Sequence, residues 1–136
     1  MIKKTIEYTD YEGNERKETF YFNLTKTELL ELEVSEAGGF TKMIERIQEA
    51  RDAKTVLEVL KEIVHKSYGI KSPDGKKFVK SDELSTGFEQ TEAYDQLMMD
   101  MIEHPEKASA FFNGLLPKDL EQQVDKYIKE HKDENK

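Results

Sequence analysis

The stretch Glu15–Leu32, ERKETFYFNLTKTELLEL, decides the fold, because the spacing of its apolar residues changes partway along. Up to residue 24 the spacing is two. Phe20, Phe22 and Leu24 share one parity, with Thr19 and Tyr21 between them. Successive strand side chains point to opposite faces, so this alternation of aromatic and β-branched residues is a strand signal. At Thr25 the rule changes. Thr25-x-x-Glu28 is a capping box: the threonine oxygen can accept from a free helix N–H while Glu28 reaches back to the cap. Leu29, Leu30, Leu32 and Val34 then form a short helix. A strand therefore hands over directly to a helix.

Upstream, Ile2, Ile6 and Tyr8 share one parity, interrupted by Lys4. Asp10-Tyr11-Glu12-Gly13-Asn14 lies between the two alternating runs, and Gly13 and Asn14 both tolerate the positive φ that a tight reversal often needs. The pattern predicts a β-hairpin with strands near 2–9 and 15–24. A lone hairpin is marginal in water, so its apolar face must pack on the helices or on a partner.

Downstream the period is helical. Gly38-Gly39 ends the first helix or forms the loop behind it. Phe40, Met43, Ile44 and Ile47 make one stripe. Asp52 is an N-cap candidate for a second stripe of Val56, Leu57, Leu60, Ile63 and Val64, so 40–50 and 53–68 are two helices or one bent one. Gly69 suits the left-handed residue just after a helix. Ser72-Pro73-Asp74-Gly75, flanked by Ile70 and Phe78, is a turn inside a small hairpin or extended loop. Ser81-Asp82 can cap a short helical turn that Gly87 ends. Tyr94, Leu97, Met98, Met101 and Ile102 trace a helix from about 90 to 103, and His104-Pro105 opens another with Ala108, Phe111, Phe112 and Leu115 on its face. Pro117 opens a last helix with Leu120, Val124, Tyr127 and Ile128. The plan is α+β in a single domain, 1–136: an N-terminal β-hairpin (1–24), then a mostly helical part of about six short helices (25–132) with an extended turn at 70–80, and a frayed tail at 133–136.

Composition narrows the function. With 21 basic and 29 acidic residues the formal charge is −8, which argues against nucleic-acid binding through neutralised phosphates. Charged residues (37%) match hydrophobic ones (36%), so the core must be lean, with much of each helix exposed. The absence of cysteine excludes disulfides, thiolate zinc sites and a cysteine nucleophile. The N-terminus carries no apolar signal region, and no apolar run approaches the roughly 18 residues of a membrane span, so a soluble intracellular protein is expected.

No constellation of side chains points to catalysis, a cofactor or a metal. His65, His104 and His131 are not spaced as ligands; they read as an exposed helical residue, a capping residue and a solvated one. The acidic runs at 28–36 and 92–106 read as solvated helix faces rather than acid–base pairs. The glycines form no phosphate-cradling pattern. Lys71, Lys76, Lys77 and Lys80 surround the Pro-Asp-Gly turn; a solvated loop is the simpler reading, an acidic partner or weak RNA contact the other.

Leu97-Met98-Met99-Asp100-Met101-Ile102 says more. Met98, Met101 and Ile102 fit one stripe, but Met99 adjoins a different face, and methionine is common on adaptable binding surfaces. Phe111 and Phe112 point about 100° apart on a helix, so either the helix is sandwiched between neighbours or one ring serves an interface. Tyr94, Met98, Met99, Met101, Phe111, Phe112 and Leu115 are the expected protein-contact residues, followed by the exposed edge of the N-terminal hairpin, which can add a partner strand.

The segments His65–Ser81, HKSYGIKSPDGKKFVKS, and Phe88–Pro117, FEQTEAYDQLMMDMIEHPEKASAFFNGLLP, resemble the tail assembly chaperones of long-tailed phages and prophages of Gram-positive bacteria. Ser67-Tyr68-Gly69, the turn from Ser72 to Phe78, the helix from Phe88 to Leu97 and Phe111–Pro117 carry the likeness, with Phe20–Leu32 and Gly38-Gly39 fitting as well. The resemblance covers most of the chain, but its motifs are short and structural. It implies a non-enzymatic assembly factor of the bacterial cytoplasm, absent from the finished virion. Such a factor binds the tape measure protein, keeps its long helices from aggregating and helps recruit tail tube subunits. Self-association is a further partner expectation; nucleic acid and membrane are not. The alternative is a structural tail-completion or tube-associated protein. The charge surplus suits a binder that must stay soluble while presenting apolar side chains.

Overall fold

The computed structural model describes residues 1–35 and 52–116, with positions 42, 45, 46 and 49 between them. Strands β1 (Ile2–Thr9) and β2 (Glu15–Phe22) form the expected antiparallel hairpin, with Ile2 opposite Phe22 and Thr9 opposite Glu15. Its turn is built on Asp10, whose carboxylate accepts from the N–H groups of Glu12 and Asn14 at 2.9 Å each and from Arg16 Nε at 2.8 Å. Gly13 alone supplies positive φ (83°); Asn14 does not.

Strand β2 stops at Phe22, two residues short of the expected end. Asn23 N–H instead donates to the Ser67 carbonyl at 2.8 Å, and Leu24 is buried beside the capping box that starts α1 (Lys26–Ser35). Both halves of that box form: Glu28 N–H donates to Thr25 Oγ1 at 3.1 Å, and Thr25 N–H donates to Glu28 Oε1 at 2.9 Å. Helix α2 (Ala53–Ser67) is capped by Asp52, whose carboxylate accepts from Thr55 N–H.

Gly69 corrects the sequence reading. It is no left-handed helix stop but part of strand β3 (Tyr68–Lys71), which pairs with β2 through Tyr21↔Gly69 and Phe22↔Tyr68. Strand β4 (Phe78–Val79) then pairs with β3, completing a four-stranded antiparallel sheet in the order β1-β2-β3-β4. Glycine is required at 69 for space: a Cβ there would lie 2.5 Å from the Phe78 ring and 2.8 Å from the Val79 carbonyl oxygen. The β3–β4 turn does use Pro-Asp-Gly as expected, with Gly75 at φ 74° and Asp74 accepting from Ser72 Oγ and Lys76 N–H.

Ser81 caps α3 (Asp82–Glu89), which runs two residues past Gly87 rather than ending there. Thr91 caps α4 (Glu92–Glu103). Helix α5 (Pro105–Leu115) starts at Pro105; the His104 side chain makes no capping bond, and its carbonyl accepts from Lys107 N–H instead. Among the described residues these are five helices and four strands, against about six short helices expected over 25–132 as a whole. Gly38-Gly39, the stripe Phe40, Met43, Ile44 and Ile47, the helix after Pro117 and the tail lie outside the described residues.

One face of the sheet carries Phe20 and Phe22, which are buried, and Ile2, Ile6, Tyr8 and Tyr68, which pack against the core. Phe22 sits at the centre, with ring centroids 5.2 Å from Phe111, 5.7 Å from Phe88 and 5.9 Å from Tyr68. Phe88 also stacks on Tyr68 at 4.5 Å. The strand signal and the helix signals therefore meet in one aromatic core.

Candidate protein-interaction surface

The seven expected contact residues do not form one exposed surface. Met98, Met101, Phe111, Phe112 and Leu115 are buried and Tyr94 is partly buried; only Met99 is exposed, at 45%. Both rings of Phe111-Phe112 are covered because α5 contacts α4, α2 and β1. Three neighbours hide a wider sector than one helix stripe, so the sandwich alternative holds for this pair. Met99 points away from the sector occupied by Met98 and Met101, as helical spacing requires.

Apolar exposure lies elsewhere. Leu30 (63%) and Val34 (77%) stand four residues apart on α1, so they share its outer face, while Leu29 and Leu32 fill the core. Ile70 (46%) and Val79 (44%) are paired across β3 and β4. They continue the parity of Phe22 and Tyr68 but leave two apolar side chains uncovered. The signal for these positions was present, since Leu30 and Val34 fall off the Leu29–Leu32 stripe and Ile70 flanks the turn.

Between α1, α2 and the start of α3 lies an open cleft of about 560 Å³, lined by Leu24, Glu28, Glu31, Leu32, His65, Lys66, Lys80, Ser81, Asp82 and Ser85. Most of its charged side chains are engaged in ion pairs. Lys80 Nζ donates to both Glu28 carboxylate oxygens at 2.7 Å and to the Asn23 carbonyl, so Lys80 belongs to the framework and not to a solvated lysine loop. Burial alone would raise the Glu28 carboxyl; hydrogen bonds from Lys80 and from Thr25 N–H outweigh it and hold the carboxyl below its ordinary value. Lys66 bonds Glu62 one helical turn back at 3.0 Å.

His65 is not a free helical side chain. Its Nδ1 lies 2.6 Å from Glu89 Oε1 and its Nε2 3.0 Å from Asp82 Oδ1, while Ser85 Oγ donates to the His65 carbonyl at 2.7 Å. Hydrogen bonds from the ring to Asp82 and then Glu89 favour the doubly protonated form, so its pKa is raised, against a smaller opposing effect of burial. These bonds fasten α3 to α2. Among the described residues no group of His, Asp and Glu side chains is arranged to hold a metal ion. No described helix is long and apolar enough to cross a membrane.

No curated protein and no solved structure matches the chain. A family model described as phage tail assembly chaperone matches residues 1–136.

Proposed function

The chain belongs to the phage tail assembly chaperone family, and on that premise we propose that it binds the tape measure protein and helps recruit tail tube subunits. A chaperone of this family works on protein partners in the phage tail. The observation that carries the proposal is the family match across residues 1–136. The geometry supports it in a second way. Leu30, Val34, Ile70, Val79 and Met99 offer apolar contacts on a firmly packed body, and the −8 charge keeps that body soluble when they are uncovered.

In this proposal the protein is non-enzymatic, acts in the cytoplasm of the bacterial host and is absent from the finished virion. Met99 is the member of the expected contact set that meets the partner directly; Met98, Met101, Phe111, Phe112 and Leu115 hold the helices that present it. Co-expression with the neighbouring tail genes tests the reading. A specific soluble complex with the tape measure protein supports it. Failure to capture tape or tube protein, together with a band for this chain in purified virions, replaces it with a structural tail-completion role.

A further inference from the structure

Register decides which side chains share the outer face of the sheet. Lys3, Tyr21 and Gly69 are partners across β1, β2 and β3, one residue along from the core-facing row of Ile2, Phe22 and Tyr68. The row spans about 10 Å at ordinary strand spacing. Lys71 and Phe78, also partners, continue the same face. The Phe78 ring fills the space that a side chain at Gly69 would need, and Lys71 Nζ lies 4.2 Å from the centre of the Tyr21 ring. None of Lys3, Tyr21, Lys71 and Phe78 belongs to the core, and both lysines are exposed.

This face is charged in one sense only at its Tyr21 end. Glu7, towards the hairpin turn, is offset by Lys17 at 3.8 Å. Among the described residues no carboxylate pairs with Lys3 or Lys71, nor with Lys76 and Lys77 in the adjoining turn. On a chain of net charge −8 the overall field repels acidic polypeptides, so an acidic segment would be admitted only where cations are concentrated locally. Flat aromatic surface between those cations adds apolar contact for the stems of glutamate side chains.

We propose that the Lys3–Tyr21–Lys71–Phe78 face docks an acidic segment of a partner protein. The face is separate from the exposed apolar positions on α1, β3–β4 and α4, so it adds a charge-selective site to the apolar contacts whichever tail protein is held.

The test is a titration of the full chain with a short poly-glutamate peptide at low salt, followed by amide and aromatic NMR shifts. Shifts should concentrate on Lys3, Tyr21, Lys71 and Phe78 and fade as salt is raised. The double variant Lys3→Glu/Lys71→Glu should bind roughly tenfold more weakly, while Lys54→Glu/Lys61→Glu, with the same change in net charge on α2, should bind as the parent does. Lys3→Gln/Lys71→Gln, checked by circular dichroism, gives an intermediate loss if the charge-reversed chain folds poorly. Shifts absent from this face, or equal losses in both charge-reversed variants, would overturn the proposal. So would binding of a single-stranded oligonucleotide as tight as that of poly-glutamate, since the face would then read phosphate rather than carboxylate.

Discussion

Helix α5 and the β3–β4 hairpin are both apolar segments next to a turn, yet they are held in different ways. Helix α5 contacts α4, α2 and β1 at once, and Phe111, Phe112 and Leu115 are buried there. The hairpin is held by a few specific fits: the Phe78 ring over Gly69, the short β2–β3 ladder and the Lys80–Glu28 bridge just beyond β4. It therefore leaves Ile70 and Val79 nearly half exposed. Burial here follows the number of elements facing a side chain, not its hydrophobicity. The most apolar-looking helix is framework, and plainer segments carry the apolar surface.

The contrast can be broken at its strong end first. Phe112→Ser should cost about 3–5 kcal/mol by removing a ring from a packed core, read as a large drop in the urea midpoint. Val79→Ser should stay within about 0.5 kcal/mol. Equal effects would mean that the two segments are held alike.

Gly69→Ala comes next. The added carbon meets both a ring and a backbone oxygen, so about 1–3 kcal/mol is expected, the range for an overfilled site. Amide shifts should move in β3 and β4 and hardly at all in α5. Uniform shifts through the domain would show that the hairpin is no separate attachment.

Lys80→Met should cost about 1–2 kcal/mol at neutral pH, because Glu28 loses a charged donor while partly buried. The Glu28 carboxyl is held below its ordinary 4.5 in the folded state, so its contribution is present above that value and is lost as pH falls through the folded pKa. The difference between parent and Lys80→Met should therefore shrink in acid, as measured by melting temperature across that range.

His65→Gln tests the smallest effect. A raised folded pKa means that the His65 bridges stabilise below its ordinary 6.5 and fade as pH rises through the folded value. The parent should lose a little melting temperature from pH 6.5 upward, and His65→Gln should flatten that slope. An unchanged slope would place the pH dependence elsewhere.

The sequence carried the local events well. The period change at Thr25, the reciprocal Thr25–Glu28 cap, the Asp52 and Ser81 starts and the two reversals all depend on residues within a few positions of one another. It carried the long-range events poorly. Glu89 and Asp82 reach His65 from 24 and 17 residues away, and Lys80 reaches Glu28 across 52, so no spacing rule could pair them. Gly69 was misread because a glycine after a helix usually marks a left-handed stop; the neighbouring Tyr68 and Ile70 were the strand signal that competed with it. The candidate site was legible in residue type and not in exposure. Met99 could be separated from its stripe by helical spacing, whereas the cover over Phe111 and Phe112 depends on where α2 and β1 pack.

Hydrogen exchange of the chain, alone and in complex with co-expressed tape measure protein, separates a framework role for α5 from a binding role. Slow exchange is expected through α4 and α5 already in the free chain, with new protection in the complex at the outer positions of α1 and in the β3–β4 hairpin. Fast exchange in α5 of the free chain, becoming slow only when the partner binds, would contradict it and return Phe111 and Phe112 to the binding surface.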